Sequence, residues 1–167
     1  SPPGTGAIAL IRLSGPESMD IIEQIFEDNK DVSIAQRPPY TIYYGQIIEN
    51  KDIIDDVLIS LFKAPKSFTG EDMVEISCHG SPYIQAKILR LLISKGATMA
   101  SPGEFTMRAY MNGKMDLTQA EAVADVIASS SKAAHKLAMN QMKGGFSKEI
   151  GYLREKLLNF ASLIELE

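Results

Sequence analysis

MVEISCHGSPYIQAKILRLLIS, from Met73 to Ser94, changes character halfway. Met73 to Cys78 is a short, largely apolar run ended by His79-Gly80, which predicts a strand. Pro82 to Ser94 opens on a proline and runs without a breaker, which predicts a helix stopped at Gly96. On a strand, successive side chains point to opposite faces. Val74, Ile76 and Cys78 therefore face one way, and Met73, Glu75, Ser77 and His79 the other.

The same mixture of periods extends outward and predicts an α/β (α+β) fold. Ala7 to Leu13, apolar except for Arg12, reads as a buried strand, broken by Ser14-Gly15-Pro16-Glu17. Ser18 to Phe26 has Ile21, Ile22, Ile25 and Phe26 at helical spacing; Asp28 to Pro39 is polar and reads as loop. Thr41 to Ile48 and Ile53 to Phe62 form a hairpin around Asn50-Lys51-Asp52, and Lys63 to Gly70 is a further loop. After Gly103 the texture changes. Leu117, Ala120, Ala124 and Ile127 recur at three and four behind a capping-box pattern, Thr118-x-x-Glu121, and Phe146 to Glu167 repeats the spacing through Ile150, Leu153, Leu157, Ala161 and Ile164. These helices have too few neighbours to bury their stripes, which implies further helices from a partner chain or from sequence beyond Glu167.

Composition limits the function classes. Seventeen basic against 21 acidic side chains give a net charge of −4, the wrong sign for binding phosphate backbones by bulk electrostatics. No apolar run approaches the roughly 20 residues of a membrane span, and Ser-Pro-Pro-Gly at the start has neither the basic nor the apolar region of a signal peptide. The single cysteine excludes an internal disulfide and fits a reducing cytoplasm.

Cys78-His79 is the pair that first draws attention, as a nucleophile with its base or as half a metal site. Strand alternation places Cys78 with two aliphatics, the usual position of an inert core thiol, and adjacent strand residues cannot easily share a hydrogen bond. Zinc needs three or four ligands, and the other histidine, His135, stands alone in a predicted helix. Glu75 on the opposite face is the better candidate, since a carboxylate in such a strand needs water, a partner or a ligand's donors. Neither a P-loop nor G-x-G-x-x-G occurs; Lys143-Gly144-Gly145-Phe146-Ser147-Lys148 has the wrong order and reads as a break between helices. Pro2-Pro3-Gly4-Thr5-Gly6 precedes a strand and is no phosphate loop either. Met107, Met111, Met115, Met139 and Met142 read as fillers of core gaps, and Tyr40, Tyr43 and Tyr44 as strand packing or as a platform for an aromatic ligand.

Three separated motifs occur together in order: PPGTGAIALIRLSG (Pro2 to Gly15), SFTGEDMVEISCHG (Ser67 to Gly80) and SPGEFTMRAYMNGKMDLTQAEAVADVI (Ser101 to Ile127). With them the chain resembles, over essentially its whole length, the amino-terminal part of the tRNA-modification GTPase family MnmE, also called TrmE. The resemblance implies a folate-binding and dimerisation domain over residues 1–117, with a mixed β-sheet and flanking helices. Residues 118–167 are then the start of a helical domain from which the GTPase domain is absent. It implies a homodimer that binds 5-formyltetrahydrofolate or methylenetetrahydrofolate. In the intact family protein it also implies GTP, Mg2+ and K+, the flavoprotein partner MnmG, and tRNA, whose wobble uridine receives a carboxymethylaminomethyl-type group.

Three folate-contacting positions follow from the resemblance: Arg12 of "IRLSG", Glu75 of "EDMVEI" and Lys114 of "MNGKMDL". The types are chemically apt. A pterin presents an amino group and a ring N–H side by side for a carboxylate, and its glutamate tail favours cations. Glu75 is thus expected at the pterin edge, with Arg12 or Lys114 at a carbonyl or the tail, and with no catalytic residue in this stretch. Two features depart from the family pattern. Ser81 stands where a second glycine is common, although serine also suits an N-cap before Pro82, and the family's short strand before Pro-Pro-Gly is missing, which leaves the pairing of the first strand open. Two other functions stay open on the residues alone: a free-standing, aminomethyltransferase-like folate enzyme, and a purely structural dimerisation scaffold.

Overall fold

The computed structural model describes residues 6–164; residues 1–5, with the Pro-Pro-Gly stretch, and residues 165–167 lie outside the described residues. The chain divides into two compact units, Ser1–Phe105 and Thr106–Glu167.

The first unit is a sheet with helices against its core side. Its strands are β1 (Ile8–Ser14), β2 (Phe26–Glu27), β3 (Ile42–Glu49), β4 (Asp52–Phe62) and β5 (Met73–His79), in the order β1-β5-β4-β3-β2. The helices are α1 (Ser18–Glu23) and α2 (Pro82–Ser94), with a 3-10 turn at Ile34–Gln36. The α+β class expected from the sequence is the one observed. The implied mixed sheet is corrected, because every pairing among the described strands is antiparallel. Hairpin closure explains part of this: β3 and β4 meet through a two-residue turn, Asn50-Lys51, with φ 52° and 77°, the left-handed pair that matches strand twist. β1, whose pairing was open, runs against β5 from Ile8↔His79 to Ser14↔Met73.

Within this unit the helices pack on one face of the sheet. Ala9, Ile11 and Leu13 of β1, Val57, Ile59 and Leu61 of β4 and Val74, Ile76 and Cys78 of β5 join Ile21, Ile22, Ile88, Leu91 and Leu92 of the helices in one core. The opposite face exposes Ile8, Leu10, Ile42, Tyr44 and Leu58. Alternation thus leaves Arg12 and Glu75 on an open surface. α2 ends as expected, with Gly96 at φ 109° and its N–H on Ile93.

The helix expected over Ser18 to Phe26 stops at Glu23, and Phe26 instead pairs with Ile47 as the edge strand β2. Its ring lies across Gly45, where a Cβ would stand 2.5 Å from the Phe26 Cζ and 2.4 Å from the Glu27 carbonyl. The polar loop that follows is pinned by a buried ion pair, Arg37 to both oxygens of Asp28, with Arg37 Nε on the Val32 carbonyl at 2.8 Å. Arg37 holds the Asp28 carboxyl below its ordinary range.

The second unit contains α4 (Leu117–Ala128), α5 (Lys132–Met142) and α6 (Gly145–Ile164); α3 (Glu104–Met111), which the sequence reading did not foresee, straddles the division. The expected Thr118-Glu121 capping box is corrected to Asp116-Gln119: Asp116 accepts from the Gln119 N–H at 2.9 Å, and the Gln119 side chain accepts from the Asp116 N–H. A carboxylate caps more strongly than a hydroxyl, and Thr118 merely donates to Asp116. Ser147 of α6 donates to the same carboxylate, and these bonds lower the Asp116 pKa. The break at Lys143-Gly144 falls between α5 and α6 as expected, with Gly144 at φ 76°. Met115, Met139 and Met142 are half-buried, whereas Met107 and Met111 are exposed and fill no core gap. Leu137, Leu153, Leu157, Leu158 and Phe160 are exposed as well, so the helical stripes are not covered within the described residues.

Gly45→Ala should destabilise the protein by about 1–3 kcal/mol, the usual cost of overpacking. Urea denaturation followed by circular dichroism checks this, and an unchanged midpoint would overturn the close approach of β2 to β3.

Candidate functional site

β1 and β5 run antiparallel, and their register sets Arg12 directly opposite Glu75. Such cross-strand neighbours stand close enough for their side chains to meet. Arg12 Nε donates to Glu75 Oε1 at 2.7 Å, with the side chains 45% and 20% exposed. The hydrogen bond joins Arg12 Nε to Glu75 Oε1 and does not occupy the Arg12 Nη groups or Glu75 Oε2. Phe68 completes the corner, its ring centroid 6.0 Å from the Arg12 guanidinium carbon.

Phe68 is carried by the loop between β4 and β5, which is tied at many points. Ser14 Oγ on β1 meets Thr69 Oγ1 at 2.6 Å and donates to Glu71 Oε2 at 2.9 Å; Thr69 is fully buried. The Ala64 N–H donates to Asp72 Oδ1 at 2.7 Å, the Gly15 N–H to the Asp72 carbonyl at 2.9 Å, and Ser67 and Tyr40 donate to the Glu71 and Lys66 carbonyls. The SFTGED motif is thus a rigid bracket beside the ion pair. A carboxylate acceptor, guanidinium donors and an aromatic ring suit a planar ligand with paired donors on one edge, such as a pterin.

Of the three residues expected from the sequence, the structure brings Arg12 and Glu75 together and places Lys114 in the second unit. Lys114 is exposed in the turn after α3; its N–H donates to the Ala109 carbonyl at 2.9 Å, next to Gly113 at φ 67°. Tyr43 is buried, its hydroxyl donating to the Pro38 carbonyl at 3.2 Å, while Tyr40 and Tyr44 are exposed. Ser81 holds the N-cap position with ordinary angles, φ −71° and ψ 128°, so the missing second glycine costs no strain; its side chain makes no capping bond.

The Cys78-His79 pair is divided by the strand as expected. Cys78 is buried, its Sγ 3.8 Å from the Ala9 carbonyl, and burial, with the nearby Asp55 charge, pushes its pKa up. His79 is engaged elsewhere, by Asp55 on β4, a residue that sequence reasoning missed. Asp55 Oδ2 accepts the His79 backbone N–H at 2.8 Å, and Oδ1 meets the ring Nδ1 at 2.7 Å. The available signal was a pair of acids, Asp55-Asp56, inside an otherwise apolar strand. Among the described residues no group of three or more His, Cys, Asp or Glu stands together to hold a metal ion, and no helix is long and apolar enough to cross a membrane.

Because its raised pKa keeps Cys78 as the thiol at neutral pH, iodoacetamide should label the native chain slowly. A rate at least about a hundredfold below that of the urea-unfolded chain is expected, since labelling waits on local opening. Equal rates would place the thiol at the surface.

Comparison with known proteins agrees with this architecture. Residues 1–114 match the family model described as the GTP-binding protein TrmE N-terminus, and residues 117–167 match the MnmE helical domain. The chain is 56% identical over 167 residues to the tRNA modification GTPase MnmE of Flavobacterium johnsoniae, covering 100% of this chain and 36% of that protein. It is 58% identical over 163 residues to the MnmE of Bacteroides thetaiotaomicron, covering 97% of this chain and 35% of that relative. The chain therefore spans about a third of the length of the curated relatives it matches. With both family models matched in order and more than half of its residues shared with these relatives, the chain belongs to the MnmE (TrmE) family of tRNA modification GTPases.

Proposed function

We propose that this chain is the amino-terminal part of a GTP-hydrolysing tRNA-modification protein and that its sheet unit binds a one-carbon tetrahydrofolate, 5-formyl or methylene. The observation that carries this reading is the part-exposed Arg12–Glu75 pair on the sheet face away from the core, joined by a single hydrogen bond beside Phe68. Glu75 accepts the amino and ring N–H edge of the pterin, and Arg12 holds a ring carbonyl or the glutamate tail. Lys114 is assigned to the same ligand through its place in "MNGKMDL" alone. The bound folate supplies a one-carbon unit; the chain's own residues bind and orient it.

In this reading residues 1–117 form the folate-binding and dimerisation domain and 118–167 begin the helical domain. GTP, Mg2+ and K+ are held by parts of the protein outside this sequence. The whole protein works in the cytoplasm with the flavoprotein MnmG on the wobble uridine of tRNA. A homodimer is supported by the uncovered apolar residues of the sheet face and of α6.

Isothermal titration with 5-formyltetrahydrofolate tests the site. The parent chain should bind, and Glu75→Gln should lose about ten- to a hundredfold in affinity, the worth of charge-assisted bonds to a ligand. Its thermal midpoint should barely move, since an exposed ion pair contributes roughly 0.2–1 kcal/mol to stability. Equal affinity for the two would end the pterin assignment, and absence of heat for the parent would leave the structural scaffold. Light scattering should find a dimer at tens of micromolar chain; a monomer would count against the assembly.

A further inference from the structure

Ser14, Thr69 and Glu71 form a polar cluster beside the Arg12–Glu75 pair. Thr69 is fully buried, and a buried hydroxyl is costly unless it is bonded. A valine would fill the same space, so packing alone does not call for the oxygen. Counting protons fixes how the three residues are joined. An ionised carboxylate only accepts, so the single Ser14 hydroxyl proton goes to Glu71 Oε2, at 2.9 Å. The 2.6 Å contact between Ser14 Oγ and Thr69 Oγ1 then takes the Thr69 proton, and Thr69 Oγ1 accepts the Glu71 N–H at 3.3 Å. The bonds close a ring that runs one way: Glu71 N–H to Thr69, Thr69 to Ser14, and Ser14 back to the Glu71 carboxylate.

This ring lies between two groups of the candidate site. Ile11 and Leu13 belong to the core, so Arg12 and Ser14 share the other face of β1. Phe68 directly precedes Thr69, and its ring centroid lies 6.0 Å from the Arg12 guanidinium carbon. Bonds from Ala64 to Asp72, from Ser67 to Glu71 and from Tyr40 to Lys66 hold the loop to itself and to the chain before β3. Its connection to the strand of Arg12 is made elsewhere: the Gly15 N–H holds Asp72, and Ser14 holds Thr69, next to Phe68.

We propose that Ser14 and Thr69 are positioning residues for the ligand of this corner: their closed ring with Glu71 holds Phe68 at a set place against Arg12, so that the folate meets side chains already ordered. Groups ordered before binding lose less freedom when the ligand arrives, and affinity rises accordingly. The proposal rests on the folate reading and adds to it two hydroxyls that act through Phe68 rather than by touching the ligand.

Isothermal titration with 5-formyltetrahydrofolate compares the parent chain with Thr69→Val, Thr69→Ser, Phe68→Ala and the double variant Phe68→Ala/Thr69→Val. Thr69→Val keeps the volume and removes the oxygen; affinity should fall about three- to tenfold, the cost of ordering one side chain on binding. Thr69→Ser, which keeps the hydroxyl, should bind like the parent. In the Phe68→Ala background Thr69→Val should cost nothing further, because the residue through which it acts is gone, whereas a loss that reflected only a weaker fold would persist there. NMR of the ligand-free chains should show Phe68 ring protons close to the Arg12 side chain in the parent and in Thr69→Ser, and not in Thr69→Val. Ser14→Ala breaks the same ring from β1 and takes the place of Thr69→Val, with the same expectations, if circular dichroism finds that variant unfolded. If the parent binds and Thr69→Val binds equally well, loses as much without Phe68 as with it, or keeps the Phe68–Arg12 proximity, the positioning role is overturned and the folate reading stands. If the parent shows no binding, both are overturned.

Discussion

A sheet whose helices pack on one face alone is the constraint on which the first unit depends. α1 and α2 both pack against the core side, so every strand must alternate in step with them. β5 sits between β1 and β4 and transmits that alternation across the sheet. A slip of one residue in its register would carry Val74, Ile76 and Cys78 to solvent and bury Glu75 and His79. The same requirement that builds the core therefore delivers the polar residues of β5 to the open face. Site and fold are specified by one pattern.

How much of this is legible in the sequence follows from how local each signal is. The β5 strand, the β3–β4 hairpin, α2 and its glycine stop are encoded by neighbours and are found where expected. β2 is not, because two residues of strand make no periodic signal and the helical spacing of Ile21, Ile22 and Ile25 runs straight into Phe26. Only Ile47, far along the chain, and the space over Gly45 decide that Phe26 becomes an edge. The capping box at α4 shows a different failure: two overlapping patterns fit, and the carboxylate of Asp116 outcompetes the hydroxyl of Thr118.

The candidate site divides in the same manner. Glu75 could be placed on the outer face by alternation, but Arg12 as its partner required the β1–β5 register, which no local rule supplies. Asp55 was illegible because its partner lies across a ladder that no local rule supplies: β4 and β5 pair no further than Leu58↔Ser77, and beyond that point Asp55 accepts the His79 N–H.

Two ion pairs in the first unit show which kind of charge serves the fold and which serves a ligand. Arg37 and Asp28 are buried; both carboxylate oxygens are engaged, and the guanidinium also reaches the Val32 and Lys30 carbonyls. Such a pair is saturated, and removing either partner would strand a buried charge, at a cost of roughly 3–5 kcal/mol. Arg12 and Glu75 share a single bond at the surface, where a pair contributes roughly 0.2–1 kcal/mol and is screened by salt. Packing does not require their charges, and their one bond leaves the Arg12 Nη groups and Glu75 Oε2 uncommitted beside Phe68. A saturated pair leaves nothing for a ligand to add, whereas an unsaturated one binds a complementary edge without first being broken.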